Sequence, residues 1–196
     1  MNRKNKNQKG FTLIELMVTV AVAIILLGVG IPLFDTMLAN NRAITQTNMF
    51  VTALNLAKSE AVSKNITSTI CADADGDPAT LVCGVAANYD WTNGWFVFND
   101  MDADGQRDND ETVIKIWEPL SADTDVLATV PFVSFNSLGE KVGTALLSFR
   151  VAQVDSAAKI ATTSPPRCLY LNAIGQLRTE KISAAKGSDA SSATCP

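Results

Sequence analysis

The residues best equipped for chemistry in this sequence are acids, and they are concentrated. Asp100, Asp102, Asp104 and Gly105, followed by Glu111, fit the calcium-loop pattern D-x-D-x-D-G-x5-E. Oxygen ligands at alternate positions suit a hard cation, the glycine permits a sharp turn, and the final glutamate can offer two oxygens. On this pattern the candidate ligands are Asp100, Asp102, Asp104, Gln106, Asp108 and Glu111, and calcium is the candidate cofactor. Six acids, Asp110 among them, face a single Arg107 here, a repulsion that a bound cation relieves. The competing reading is a solvated hairpin loop, because the flanking residues read as strands rather than as the two helices of an EF-hand.

Other chemistries are poorly supplied. The sequence has no histidine, which removes the commonest general base, the commonest zinc ligand and any Ser-His or Cys-His nucleophile. There is no phosphate-binding glycine loop and no convincing nucleophile, so the expectation is a protein that is not an enzyme. The four cysteines, Cys71, Cys83, Cys168 and Cys195, contain no C-x-x-C, which speaks against a zinc or thioredoxin-like site. An even number of cysteines beyond a membrane-directed segment points to disulfides. Of the three possible pairings, Cys71–Cys83 with Cys168–Cys195 is favoured because each closes a local loop; four free thiols in a cytosolic protein is the alternative.

Charge is unevenly placed along the 196 residues. Arg3, Lys4, Lys6 and Lys9 fall within the first ten residues, and the remainder sets 12 basic against 20 acidic groups, a net of −8. A body of that sign is a poor general partner for nucleic acid. Residues 11–31 then form an apolar run whose one charge is Glu15. As a helix, 21 residues span about 30 Å, close to the thickness of a bilayer core. The basic flank is expected on the cytoplasmic side. The run is too long for a signal-peptide core and continues into a helical pattern without a small-residue cleavage site of the A-x-A kind. A carboxylate within it is costly and wants a partner.

Gly28, Gly30 and Pro32 close the apolar run, yet a helical pattern resumes beyond them. Ala43, Thr47, Phe50, Leu54, Ala57 and Ala61 recur at three- and four-residue steps, a narrow apolar stripe. One helix is therefore predicted over residues 11–64, its first half embedded in a membrane and its second amphipathic; two helices separated at Pro32 is the alternative. After Asn65 the pattern changes to strands at residues 66–72, 94–98, 112–117, 132–135, 145–151, 168–172 and 176–182, separated by turns rich in Gly, Pro, Asp and Asn. The expected fold class is α+β: a long N-terminal helix packed on a mainly antiparallel β-rich head at residues 65–196.

Lys9-Gly10-Phe11-Thr12-Leu13-Ile14-Glu15-Leu16 resembles the processing motif of the type IV pilin-like family. The resemblance implies a leader at residues 1–10, cleaved between Gly10 and Phe11 by a prepilin peptidase, and N-methylation of Phe11. It also implies that Phe11 and Glu15 serve assembly, the carboxylate pairing with the N-terminal amine of a neighbouring subunit. The head, with Trp91-x-Asn93-Gly94-Trp95 leading into a strand, the acidic loop and a hairpin around Gly175, is similar to minor pilins and pseudopilins of the FimT, FimU and GspH type.

The function implied is that of a minor type IV pilin in initiation and tip assembly of the pilus, with a minor pseudopilin of a type II secretion system as the alternative. The implied partners are other minor pilins, the major pilin, prepilin peptidase and the inner membrane. The implied location is a single pass through the inner membrane with the head in the periplasm, then the pilus at the cell surface. DNA uptake is a third reading. Some FimT-type proteins carry a G-R-x-R motif, where this chain has Gly175-Gln176-Leu177-Arg178, with Arg167, Lys181 and Lys186 nearby. Replacement of the first arginine by Gln176 removes a phosphate contact, and the acidic body weighs further against DNA.

Overall fold

In the computed structural model of the protein, residues 11–84, 90–121, 123–153, 165–182 and 195 are described. The chain divides into two compact units, Met1–Leu38 and Ala39–Pro196. Helix α1, Leu13–Lys64, supplies the described part of the first unit and the opening of the second. Its start is capped locally: the Glu15 amide donates to Thr12 Oγ1 at 3.3 Å, and Thr12-x-x-Glu15 has capping-box spacing. The backbone stays helical through Pro32. The helix stops at Asn65, whose φ of 56° is the left-handed conformation that ends many helices.

Within the second unit, every member of the predicted stripe is buried: Ala43, Thr47, Phe50, Leu54, Ala57 and Ala61. The stripe packs against two four-stranded antiparallel sheets. The first has order β3-β2-β1-β5, formed by β1 Thr67–Ala72, β2 Trp95–Asp100, β3 Val113–Trp117 and β5 Phe132–Phe135. The second has order β4-β6-β7-β8, formed by β4 Thr124–Ala128, β6 Leu147–Gln153, β7 Arg167–Leu171 and β8 Leu177–Lys181.

Strand β4 is the element that sequence reading missed. Thr124, Val126 and Ala128 point inward in alternation, but Thr, Asp and Ala make a weak β signal. What holds β4 in place is its register on β6, Val126 opposite Val151.

The first sheet is covered on both faces. Ile70, Trp95, Val97, Val133 and Phe135 join Phe50, Leu54 and Phe149 in the main core. Phe96 and Phe98 face the other way and pack with Cys71, Leu81 and Cys83 in a second cluster. Burial on both faces explains why Trp95-Phe96-Val97-Phe98 is an unbroken apolar run rather than an alternating one.

Candidate functional site

In the first unit, the helical window Leu13–Gly30 is long and apolar enough to cross a membrane, and none of it is buried. Phe11, Leu13 and the other large apolar residues of this stretch are exposed. An apolar helix that buries no face has its surface available to lipid or to other helices. The Thr19 hydroxyl donates to the Leu16 carbonyl at 2.8 Å, so this polar group is satisfied within the helix, as an apolar medium requires. Glu15 lies in the first turn, where a negative charge complements the helix dipole. Phe11 is adjacent to the helix start and Gly10 lies outside the described residues.

The acidic loop joins β2 to β3. Asp100 is the last residue of β2 and is fully buried. Its Oδ2 accepts from the Thr69 hydroxyl at 2.6 Å and from the Gly105 amide at 3.1 Å. Burial pushes the Asp100 carboxyl above the ordinary carboxylate range, while the Thr69 hydroxyl and the Gly105 and Ala103 amides pull it back. Asp102 and Asp104 are exposed, and one carboxylate oxygen from each of Asp100, Asp102 and Asp104 lies within 4.8 Å of the others.

The loop wraps back through left-handed backbone at Ala103, φ 63°, and Gly105, φ 79°. A Cβ on Gly105 would run into the Phe132 ring, so glycine is required there. Glu111 is buried but is held differently from Asp100. Its Oε1 accepts from the Met101 amide at 2.6 Å and its Oε2 from the Asp108 amide at 3.0 Å. The Gln106 side chain donates to the Gly105 carbonyl at 3.3 Å, and the Asp108 side chain is exposed. The structure thus brings three of the six candidate ligands together and leaves Glu111 outside the group. Thr69 on β1 and Ser134 on β5, hydrogen-bonded at 2.6 Å, support Asp100 from strands remote in sequence, and no local pattern announces them.

Disulfides join Cys71 to Cys83, with Cα atoms 5.5 Å apart, and Cys168 to Cys195, with Cα atoms 5.9 Å apart. The first clips residues 73–82 across the outer cluster beneath the acidic loop's own strand. The second ties the chain end to β7.

The hairpin from β7 to β8 turns at Gly175, φ 70°, where a Cβ would strike the Gly139 carbonyl. The Gln176 amide donates to Asn172 Oδ1 at 2.8 Å. The described basic residues of this hairpin divide between its two faces. Arg167 lies opposite Lys181 and Tyr170 opposite Arg178, and positions 178 and 181 of one strand point to opposite faces. Arg178 instead lies 3.7 Å from Glu180. Lys186 lies outside the described residues.

A sequence model described as the type II transport protein GspH matches residues 46–175, more than half of the chain. The chain belongs to the GspH family. A second model, the prokaryotic N-terminal methylation motif, matches residues 5–31 of this GspH-family chain. No curated protein matches it. Among solved structures it is similar to the type IV minor pilin FimU of Pseudomonas aeruginosa in two crystal forms. One, at 20% identity, covers 76% of this chain and 92% of FimU with a TM-score of 0.51. The other, at 20% identity, covers 71% and 90% with a TM-score of 0.48. The likeness at 0.51 shows a shared α+β fold. The family is one of structural pilins and pseudopilins rather than of enzymes. The apolar helix and the methylation motif fit a membrane-anchored pilin with a periplasmic head.

Proposed function

We propose that this chain is a minor type IV pilin of the FimU kind, acting in initiation and tip assembly of the pilus. Prepilin peptidase cleaves it between Gly10 and Phe11, and Phe11 is N-methylated. The mature chain waits in the inner membrane with its head in the periplasm, then joins other minor pilins and the major pilin. The observation that carries this reading is Glu15, the one charge in residues 11–31, set in the first turn of an unburied apolar helix. Among the described residues no side chain bonds its carboxylate. In an apolar bundle a carboxylate is costly alone and strongly stabilised by an opposite charge. The amine that cleavage creates on Phe11 of a neighbouring subunit supplies that charge.

Mass spectrometry of the full-length protein, co-expressed with and without its peptidase, tests the maturation. The expected product is a chain beginning at N-methyl-Phe11 only when the peptidase is present. Retention of residues 1–10 in both samples refutes the reading. Glu15→Ala is then expected to be processed normally yet be absent from sheared filaments; incorporation at the wild-type level refutes the role given to Glu15.

A second reading, a minor pseudopilin of a type II secretion system, is favoured by the GspH description of the matching family model. Deletion of the chain separates the two: loss of surface pili supports the first, and loss of protein secretion with pili intact supports the second.

A further inference from the structure

We propose that the loop between β2 and β3 holds a calcium ion through Asp100, Asp102 and Asp104, while Glu111 closes the loop and does not bind the metal. Two independent observations meet here. The first is spacing: one oxygen from each of the three carboxylates lies within 4.8 Å of the others. Oxygens that close can share one cation, and ligation by carboxylate oxygens alone suits a hard ion such as calcium, with Ca–O bonds of about 2.4 Å.

The second is a bare buried oxygen. Asp100 is 0% exposed, its Oδ2 is held by Thr69 and Gly105, and its Oδ1 is buried with no hydrogen-bond partner. A buried carboxylate oxygen without a donor is costly, and a cation on its open side removes the cost. Glu111 makes the contrast: it is almost as buried, but both its oxygens accept backbone amides within the loop. The protein has satisfied Glu111 by itself and has left Asp100 one donor short.

The site is also supported from behind. The Thr69 hydroxyl bridges Asp100 Oδ2 and Ser134 Oγ, at 2.6 Å to each, and all three residues are buried. Such outer partners fix a ligand's orientation. The hydrogen bonds pin Oδ2 and leave Oδ1 as the coordinating atom. Asp102 and Asp104 are exposed, so water can fill the remaining positions of a six- to eight-coordinate ion. Three protein carboxylates place the affinity with extracellular calcium modules, about 0.1–1 mM.

The test uses the full-length protein in detergent, stripped with EDTA, titrated calorimetrically with CaCl2 and with MgCl2, and melted in EDTA or in about 5 mM CaCl2, a level above the weak end of that range. One calcium site is expected, with weaker magnesium binding because magnesium demands near-ideal octahedral geometry and dehydrates reluctantly, and a melting temperature raised by calcium. Asp102→Asn and Asp104→Asn are expected to melt as wild type in EDTA and to lose the calcium-dependent rise. Glu111→Gln is expected to melt lower in EDTA and to keep the rise. The proposal is overturned if wild type shows neither heat nor a melting shift with calcium, or if the two aspartate variants respond as wild type does. It is equally overturned if Glu111→Gln alone abolishes the response.

Discussion

Replacing Phe50 by alanine tests how the helix and both sheets are joined in the second unit. Phe50 is fully buried. Its ring meets Trp91 and Trp95 edge-on, each at 5.1 Å, and lies 4.8 Å from Phe149. Trp95 belongs to the first sheet and Phe149 to the second, so one side chain of α1 fills the space where the two sheets converge. Truncating a buried Phe to Ala costs about 3–5 kcal/mol. Edge-to-face ring pairs add about 0.5–1.5 kcal/mol each beyond burial, without strict additivity. The upper end, about 5 kcal/mol, is therefore expected, a third or more of the roughly 5–15 kcal/mol that holds a typical domain together. Urea unfolding followed by tryptophan fluorescence is the assay, since Trp91 and Trp95 flank the site and are themselves buried. Phe50→Leu keeps most of the volume and should fall between. Val62→Ala, on the exposed face of the same helix, should stay within about 0.5 kcal/mol of wild type. A loss below about 1.5 kcal/mol for Phe50→Ala is too small for a closed cavity of this kind and would refute the packing described.

The two disulfides close loops of different length, with sequence separations of 12 and 27. Loop-closure entropy assigns them about 2.8 and about 3.6 kcal/mol. Double Cys→Ala variants of each pair should destabilise in that order by chemical unfolding, and equal stability to wild type for either would contradict its role as a constraint. Asp73 provides a pH test. Burial and a hydrogen bond with Asp75 raise its pKa above 3.8 in the folded protein. The folded state therefore holds this proton more tightly than the unfolded state, and its share of stability falls as pH rises through the window above 3.8. Asp73→Asn should accordingly melt higher than wild type at pH 7, with the difference closing below the ordinary aspartate value; an unchanged or lower melting temperature at pH 7 would show that ionised Asp73 is not penalised.

Much of the fold was legible because it follows local periodicity. The stripe from Ala43 to Ala61 has helical spacing, and every one of its residues is buried. The seven strands read from the sequence all form, with no end displaced by more than two residues. What escaped depends on partners distant in sequence. Strand β4 exists through its register on β6, not through its own composition. The apolar run from Trp95 to Phe98 announces a strand but not the disulfide-clipped segment that covers its second face. The candidate site was legible as a pattern of oxygens. The division between Asp100 and Glu111 was not, because it rests on which backbone amides each carboxylate meets once the loop closes. The hairpin shows the same rule: the three-residue offset of Arg178 and Lys181 places them on opposite faces of the strand, whereas Arg167 and Lys181 meet as cross-strand partners.

On the proposed function, the helix of the first unit must leave lipid and enter a bundle of like helices, and the physics of that transfer isolates one residue. Lipid tails are as apolar as the side chains around Ile14, Leu16 and Val20, so exchanging one environment for the other yields little from hydrophobicity; close packing decides the rest. Thr19 is satisfied by its own backbone and is indifferent to the change. Glu15 is not indifferent: in lipid its carboxylate is penalised, and beside a neighbour's amine it is compensated. A single acid near the helix start thus biases an otherwise balanced exchange toward assembly. It also fixes the stagger, because the amine it meets sits at the first residue of the next mature chain.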